Sequence, residues 1–179
     1  IIKAAKLGDA AIIKAIIKIL DHEKIKVISS IYFNPELAGK KGNFTKLKPS
    51  QNDITSINKG IRYLSKSNTL DHVQALVVKN NIIIAKEGNQ GTKKMLFKLK
   101  RNSGGILIKI PKKRQDLRMD LPTIGLQTLK DCKKYGLKGI VLKSKMNIFV
   151  VFHNLLIPIE QYGLLIVVFY VKKLDLVFF

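Results

Sequence analysis

The sequence predicts an α/β fold built on a mixed sheet, and three observations indicate this class. Apolar, β-branched segments typical of strands alternate along the chain with segments whose apolar residues recur at helical spacing. Residues 76–85 (LVVKNNIIIA) hold two apolar runs around Asn80 and Asn81, and Asn tolerates the positive φ of a tight hairpin turn. The chain has 179 residues and 46% apolar content, which is enough to bury a core.

The first 45 residues are expected to hold one helix, one strand and a linker. Residues 10–20 (AAIIKAIIKIL) place apolar side chains at helical spacing. Residues 25–33 (IKVISSIYF) are apolar and rich in β-branched side chains, so a strand is predicted there. Residues 36–49 combine glycine, proline and four lysines, a composition typical of a linker.

Residues 46–179 are expected to form the main α/β domain. Ser50 to Asp53 resembles the start of a capped helix. Beyond the hairpin, we predict helices at Thr92–Leu99 and Thr123–Tyr135, with strands at Gly105–Ile110 and Gly139–Leu142.

The chain becomes very apolar from Ile148 to Phe179. A membrane-spanning helix needs about 20 apolar residues. Pro158 and Glu160 interrupt the run, and its Val, Ile and Phe residues favour strands. A buried strand, a short helix and a final strand are therefore predicted rather than a membrane span.

The formal net charge of +21 suggests a nucleic-acid-binding protein at first. The basic residues are overwhelmingly Lys and are spread along the chain, whereas phosphate and base readers favour the planar fork of Arg. The sequence therefore argues against a nucleic-acid partner. The lone cysteine, Cys132, excludes a disulfide framework and is interpreted as a packing residue, which is consistent with a cytoplasmic protein.

Residues 109–125 (KIPKKRQDLRMDLPTIG) carry the strongest functional signal. They follow a predicted strand, and their two prolines indicate a loop. Asp116 and Asp120 lie four residues apart, with Arg118 between them and several cations before them, including Lys109. A carboxylate can bind a divalent metal ion or polarise a water, and cations neutralise phosphoryl oxygens. The alternative is a solvated surface loop whose charges pair locally.

Two predicted helix starts could also bind an anion. Thr123 and Gly125 offer a hydroxyl and a close backbone approach, and helix starts bind anions well. Residues 87–95 (EGNQGTKKM) join a strand to a helix through a Gly-rich turn, although they match neither the P-loop nor the dinucleotide pattern. The alternative for this stretch is an ordinary turn with Thr92 as the helix N-cap.

The hexapeptide Asp120–Gly125 (DLPTIG), preceded by Gln115 and Arg118, resembles the signature loop of the DUF1009 family of bacterial UDP-2,3-diacylglucosamine pyrophosphatases. Other stretches are similar to family motifs in the same order. They are the K-G-D at residues 6–9, the strand opening D-x-x-Q at 71–74, the E-x-x-x-G-T turn at 87–92, the strand at 105–109 and the G-L-x-G-I at 136–140. The resemblance covers the chain from about residue 1 to about residue 168.

The resemblance implies hydrolysis of the pyrophosphate bond of UDP-2,3-diacylglucosamine to UMP and lipid X in lipid A biosynthesis. It implies Mg²⁺ as the cofactor, attack by water on the α-phosphorus, and Asp120 as the catalytic carboxylate. The protein would be cytoplasmic and peripheral to the inner membrane, because the substrate carries two acyl chains. The carboxylates considered for the metal are Asp120, Asp116 and Glu87, and the residues expected to bind substrate are Gly91, Thr92, Lys109, Gln115, Arg118 and Thr123.

The sequence also departs from the family pattern. Gln90, Lys93 and Ala10 stand where the family motifs have acidic residues. No segment matches the first strand and Gly-rich turn with which the family's N-terminal nucleotide-binding-like domain begins. Residues 1–45 are therefore interpreted as that domain's last helix and strand, followed by a linker. These departures predict little or no activity for the chain alone, and they leave open an inactive remnant that binds only lipid or a partner.

Overall fold

A six-stranded mixed sheet organises the computed structural model of this chain. The structure describes residues 9–38, 41–66, 73–112, 115–149, 159–169, 171–172 and 175–176. The strand order is β1–β8–β6–β4–β2–β3. The strands of this sheet are β1 (Gly42–Asn43), β2 (Ala75–Lys79), β3 (Ile82–Lys86), β4 (Ile106–Lys109), β6 (Gly139–Lys143) and β8 (Leu165–Phe169).

Five α-helices and several short elements complete the described chain. The helices are α1 (Asp9–His22), α2 (Ser30–Phe33), α3 (Gln51–Lys66), α4 (Gly91–Phe97) and α5 (Leu126–Lys134). Single 3₁₀ turns cover Pro35–Leu37 and Ile159–Tyr162. The remaining strands are β5 (Thr123–Ile124), β7 (Ile148–Phe149), β9 (Val171–Lys172) and β10 (Asp175–Leu176).

The strand directions confirm the predicted mixed α/β class. Strands β4, β6 and β8 run parallel, whereas β2 is antiparallel to both β4 and β3, and β1 is antiparallel to β8. All four residues of β4 are buried, as are four of the five residues in both β2 and β6. Continuous burial explains why these strands are nearly unbroken apolar runs in the sequence.

Helices cover both faces of the sheet. On one face, Ile57 and Ile61 of α3 pack in a cluster with Leu76 and Ile108 of the strands. On the other face, α4 and α5 pack in a second cluster with the opposite side of the strands, and Cys132 lies fully buried there. The interpretation of Cys132 as a packing residue is therefore confirmed.

The predicted hairpin and capped helix are both confirmed. Asn80 and Asn81 have φ values of 47° and 61°, and the backbone N–H of Asn81 donates to Ser56 Oγ at 2.8 Å. At the start of α3, Ser50 Oγ accepts from the N–H of Asp53 at 3.2 Å, while Asp53 Oδ2 accepts from the N–H of Ser50 at 3.0 Å. This reciprocal capping box satisfies two donors at the start of the helix.

The strand predicted over residues 25–33 is wrong. Residues 25–29 have no regular structure, and Ser30–Phe33 forms the short helix α2. Ser29 is its N-cap, and the Ser29 hydroxyl accepts from the N–H of Ile31 at 3.4 Å. Serine side chains compete with strand pairing by bonding the local backbone, so the β-branched composition did not decide this segment. Of the helix and the strand predicted within residues 1–45, the structure contains the helix, α1.

The helix predicted at Thr123–Tyr135 begins later, at Leu126. Thr123 and Ile124 instead form β5, which pairs in parallel with Ile148 and Phe149 of β7. The end of the helix is as predicted, because Gly136 takes a φ of 66° and its N–H donates to Lys133 O at 3.0 Å.

The apolar C-terminal region contains strands and a short 3₁₀ turn within the residues that the structure describes. Strand β8 lies between β6 and β1. The edge strand β1 pairs with β8 through Gly42 and Asn43, and the N–H of the next residue, Phe44, donates to Ile166 O at 2.9 Å. Strand β1 therefore lies within residues 36–49, the stretch predicted as a linker. Across the described ranges, no helix is long and apolar enough to cross a membrane.

Candidate functional site

Several of the predicted site residues lie at one end of the sheet. The carboxyl ends of β3, β4 and β6 all reach this end, where Ala75 pairs with Lys109 and Lys109 pairs with Leu142. The chain leaves β4 here through residues 110–112, and residues 115–122 lead into β5. In α/β sheets, ligands bind outside the carboxyl ends of parallel strands, so this is the expected position for a site.

Lys109 is a buried cation at the centre of this end. It is the last residue of β4, and its Nζ donates to the backbone oxygen of Thr123 at 3.1 Å. Burial holds the pKa of Lys109 below its ordinary value, and the negative charges of Glu87 and Asp120 offset part of that effect. The ammonium of Lys109 therefore lies within electrostatic reach of two carboxylates, in surroundings that water screens weakly.

Glu87 is also buried, and both of its carboxylate oxygens have partners. Oε1 accepts from the hydroxyl of Thr92 at 2.6 Å, and Oε2 accepts from the backbone N–H of Gln74 at 2.9 Å. Thr92 lies inside α4, whose N-cap is Gln90, so the reading of Thr92 as an N-cap is wrong. Its hydroxyl instead ties the start of α4 to the carboxylate that follows β3.

Asp116 and Arg118 pair with each other within the loop. Arg118 donates from Nε to Asp116 Oδ1 at 3.0 Å and from its terminal nitrogen to Oδ2 at 2.8 Å. The hydrogen bond from the Arg118 side chain holds the pKa of the Asp116 carboxyl below its usual range. For these two residues, the alternative in which loop charges pair locally is confirmed.

Gln115 and Gln74 each retain an unused polar atom at this end of the sheet. Gln115 Oε1 accepts from the N–H of Lys112 at 2.9 Å, but its Nε2 is buried with no partner in the described structure. The side-chain oxygen of Gln74 is buried and lacks a partner among the same residues. Buried polar groups are normally satisfied, so these two atoms stand out within the described structure.

Gly91 and Thr123 were predicted to bind an anion, but in the structure their donors bond to nearby backbone oxygens. Gly91 takes a φ of 77°, and its N–H already donates to Gly88 O at 3.0 Å. The exposed hydroxyl of Thr123 donates to Leu121 O at 3.0 Å, while the Thr123 carbonyl accepts from Lys109. Both residues lie beside the predicted site, but Gly91 is used here for a turn.

Asn147 is a site residue that sequence reasoning missed. It is only 1% exposed, its Oδ1 accepts from the N–H of Lys143 at 3.0 Å, and its Nδ2 donates to Lys109 O at 3.3 Å. The next residue, Ile148, donates its N–H to Pro122 O at 2.9 Å. The sequence offered one signal for Asn147: it is a polar residue at the start of the apolar C-terminal region, directly after a strand and a turn.

The predicted set of three metal-binding carboxylates is not gathered in the structure. Within the described ranges, no three Asp, Glu, His or Cys side chains are grouped to hold a metal ion. Asp116 is engaged by Arg118, and Glu87 by Gln74 and Thr92. Among the described residues, none donates a hydrogen bond to the side chain of Asp120. The Mg²⁺ assignment stays a prediction.

Comparison with known proteins places this site inside a recognised domain. Residues 40–167 match the family model described as the LpxI C-terminal domain. The UDP-2,3-diacylglucosamine pyrophosphatase LpxI of Caulobacter vibrioides is 28% identical over 151 residues, an alignment that covers 79% of this chain and 54% of that protein. The chain thus spans about half the length of the curated relative it matches. Glu87, Lys109 and Asp120 all fall within the matched domain.

Proposed function

Because the chain belongs to the LpxI C-terminal domain family, we propose that it serves in the hydrolysis of UDP-2,3-diacylglucosamine to UMP and lipid X, a step of lipid A biosynthesis. The observation that carries the proposal is the contact between Lys109 and the DLPTIG loop. The ammonium of Lys109 bonds to Thr123 O and lies in the electrostatic field of Asp120. A buried cation beside a carboxylate suits the cleavage of a phosphoric anhydride.

Lys109 would face the pyrophosphate. Charge builds on phosphoryl oxygens during attack, and a fixed cation stabilises it without reorganising. The burial of Lys109 strengthens such an interaction, because water does not screen it. Its attachment to β4 and to Thr123 O would hold the ammonium in place as the substrate reacts.

Asp120 would hold or orient the water that attacks the α-phosphorus. Mg²⁺ commonly binds through one or two carboxylates together with substrate phosphates, so one carboxylate from Asp120 is a sufficient protein contribution. When bound, the ion would neutralise negative charge on the phosphoryl oxygens. Asp116 is paired with Arg118 and Glu87 is buried with both oxygens hydrogen-bonded, so we favour Asp120 as the main carboxylate.

The remaining predicted substrate residues would act at the edges of the pyrophosphate. Gln115 has a free Nε2 donor, and the exposed hydroxyl of Thr123 can exchange Leu121 O for a substrate oxygen. Arg118 could bind phosphate with its guanidinium if the pair with Asp116 opens. Thr92 and Gly91 would shape the wall of the site through the Glu87 hydrogen bond and the turn before α4.

The proposed substrate carries two acyl chains, so we place the reaction in the cytoplasm at the inner membrane surface. Met119 lies next to Asp120 in the loop and is 45% exposed. An exposed apolar side chain beside the catalytic carboxylate suits contact with a lipid portion of the substrate.

The alternative is a non-catalytic protein that binds lipid or a partner, as the departures Gln90 and Lys93 suggest. Both residues are exposed in the structure. The hydrogen bond from Thr92 to Glu87 forms regardless of them. The two departures therefore leave this hydrogen bond of the site in place.

Release of UMP tests the proposal. The chain is incubated with UDP-2,3-diacylglucosamine and Mg²⁺, and UMP is measured beside an Asp120→Ala variant and an Asp131→Asn control on α5. We expect slow release that Asp120→Ala lowers by about 100-fold, because a charge-stabilising group at the reacting centre is removed. Release that is unchanged by Asp120→Ala would refute the site. Binding of substrate with no release at any Mg²⁺ concentration would favour the alternative.

A further inference from the structure

Three hydrogen bonds connect Lys109 in a ring with two neighbouring chain segments, 122–123 and 147–148. Lys109 Nζ bonds to Thr123 O at 3.1 Å, and the preceding residue, Pro122, accepts from the N–H of Ile148 at 2.9 Å. The residue before Ile148 is Asn147, whose Nδ2 donates back to Lys109 O at 3.3 Å. The segment 147–148 therefore touches both the strand that carries the cation and the loop that carries Asp120.

The two hydrogen bonds of Asn147 join adjacent strands at their carboxyl ends. Its Oδ1 accepts from the N–H of Lys143, the last residue of β6, and its Nδ2 reaches the backbone of Lys109, the last residue of β4. The regular pairing of these strands ends at Lys109 and Leu142. Beyond that pair, Asn147 supplies the connection that strand pairing no longer makes.

Because Asn147 is buried, its polar atoms need their hydrogen-bond partners. Asn147 is 1% exposed, so each of its polar atoms would cost free energy if left unpaired. An apolar residue of similar size could fill the same space but could not make these two hydrogen bonds. The presence of an amide is explained by the two backbone groups it bonds.

We propose that Asn147 is a positioning residue of this site: it fixes the backbone of Lys109 relative to Pro122 and Thr123, and so holds the ammonium of Lys109 at its distance from Asp120. Asn147 has no hydrogen bond to a group that would react, and it acts through Lys109 and the loop. The catalytic consequence of this inference rests on the proposed function, whereas its structural consequence does not.

The Asn147→Asp variant separates the two bonds. A carboxylate keeps an acceptor for the N–H of Lys143 but cannot donate to Lys109 O. The matched control is Lys145→Gly, in the same turn, because Lys145 is exposed and takes a φ of 59° that glycine adopts freely. We expect Asn147→Asp to lower kcat for UMP release by about 10- to 100-fold, because a small misplacement of a reacting group lowers the rate by up to about that factor. KM should change by less than about twofold. The control is expected to leave both parameters unchanged.

Amide hydrogen exchange and backbone NMR shifts provide a readout that needs no activity. In Asn147→Asp we expect faster exchange at the N–H of Ile148 and shifted amide signals at Lys109 and Thr123, with Leu107 unchanged. Unaltered exchange at Ile148 and unaltered signals at Lys109 and Thr123 would overturn the inference, as would a loss of stability with kcat unchanged. The expected exchange pattern in a chain that releases no UMP would support positioning by Asn147 while removing the proposed function.

Discussion

The hydroxyl of Thr92 donates a hydrogen bond to the buried carboxylate of Glu87, with 2.6 Å between Oγ1 and Oε1. Together with the bond from the N–H of Gln74, it satisfies both oxygens of a side chain that is 4% exposed. A buried carboxylate is tolerated only when it is well bonded, so Thr92 contributes to stability as well as to the shape of the site.

Thr92→Val tests this contribution. The substitution conserves volume but removes the donor, which leaves Glu87 Oε1 unpaired at a cost of about 1–3 kcal/mol. Chemical denaturation measures the change. Thr55→Val on the exposed side of α3 is the control and is expected to change stability by less than about 0.5 kcal/mol. Equal effects of the two substitutions would contradict the role given to Thr92.

Gly60→Ala is expected to destabilise the chain, although alanine favours helices. A Cβ at Gly60 would collide with Ile108 Cδ1 and would lie 2.9 Å from Val78 Cγ2 and 3.0 Å from Leu76 Cδ1. Overpacking of this kind costs about 1–3 kcal/mol, more than the roughly 1 kcal/mol that alanine gains in a helix. Gly88→Ala is the control, because a Cβ there meets nothing within 4 Å. A more stable Gly60→Ala variant in thermal denaturation would show that α3 can move away from the sheet.

Ser50→Ala should reveal a pH-dependent cap. Burial by itself raises the pKa of Asp53, but the hydrogen bonds from Ser50 and the charge of Lys138 together hold it below 3.8. A lowered carboxyl pKa stabilises the fold above the unfolded value, and that stabilisation is lost as the pH falls through the folded value. Ser50→Ala should therefore cost about 1 kcal/mol near neutral pH and less in acid.

The free energy of unfolding of the Ser50→Ala variant and the parent, measured across this acid range, checks that prediction. The gap between the two proteins should narrow once the pH drops below 3.8, the ordinary value for Asp53. A gap that stays constant from neutral to strongly acid pH would mean that the ionised form of Asp53 does not contribute to the cap.

Cys132 should be unreactive in the folded chain. Burial, helped by the charge of Asp131, raises the pKa of this thiol to about 12. Because the thiolate is the reactive form, alkylation near neutral pH should be slow until the protein unfolds. The rate of labelling with and without denaturant measures this, and rapid labelling of the native chain would show that α5 does not shield the thiol.

The central strands could be predicted because strands that are buried on both faces consist almost entirely of apolar residues. Strands β4 and β6 lie inside the sheet with helices over the faces, so nearly every position is apolar. The turn at Asn80 and Asn81 was predictable for a local reason, the positive φ that few residues accept. The loop from Asp120 to Gly125 was recognised by its motif, and the structure places it against Lys109.

The errors lie where a distant or competing partner decides the conformation. Thr123 and Ile124 form a strand because β7 lies beside them, a pairing that helical spacing does not reveal. Ser29 caps a short helix where β-branched neighbours favoured a strand. The role of Asn147 depends on which backbone groups surround it, and no local pattern specifies them.

The neighbourhood of β1 and β8 has a consequence for the order of folding. Thr45 accepts a hydrogen bond from Ile166, 121 residues further along the chain. During synthesis, which proceeds from the N-terminus at about 5–20 residues per second, β1 must wait for several seconds until β8 has been made. Strands β2 to β6 can assemble in that interval with one flank of β6 uncovered. A chaperone that shields this flank would raise the yield of folded protein, and a ribosome stalled before residue 165 would hold the chain in an aggregation-prone form.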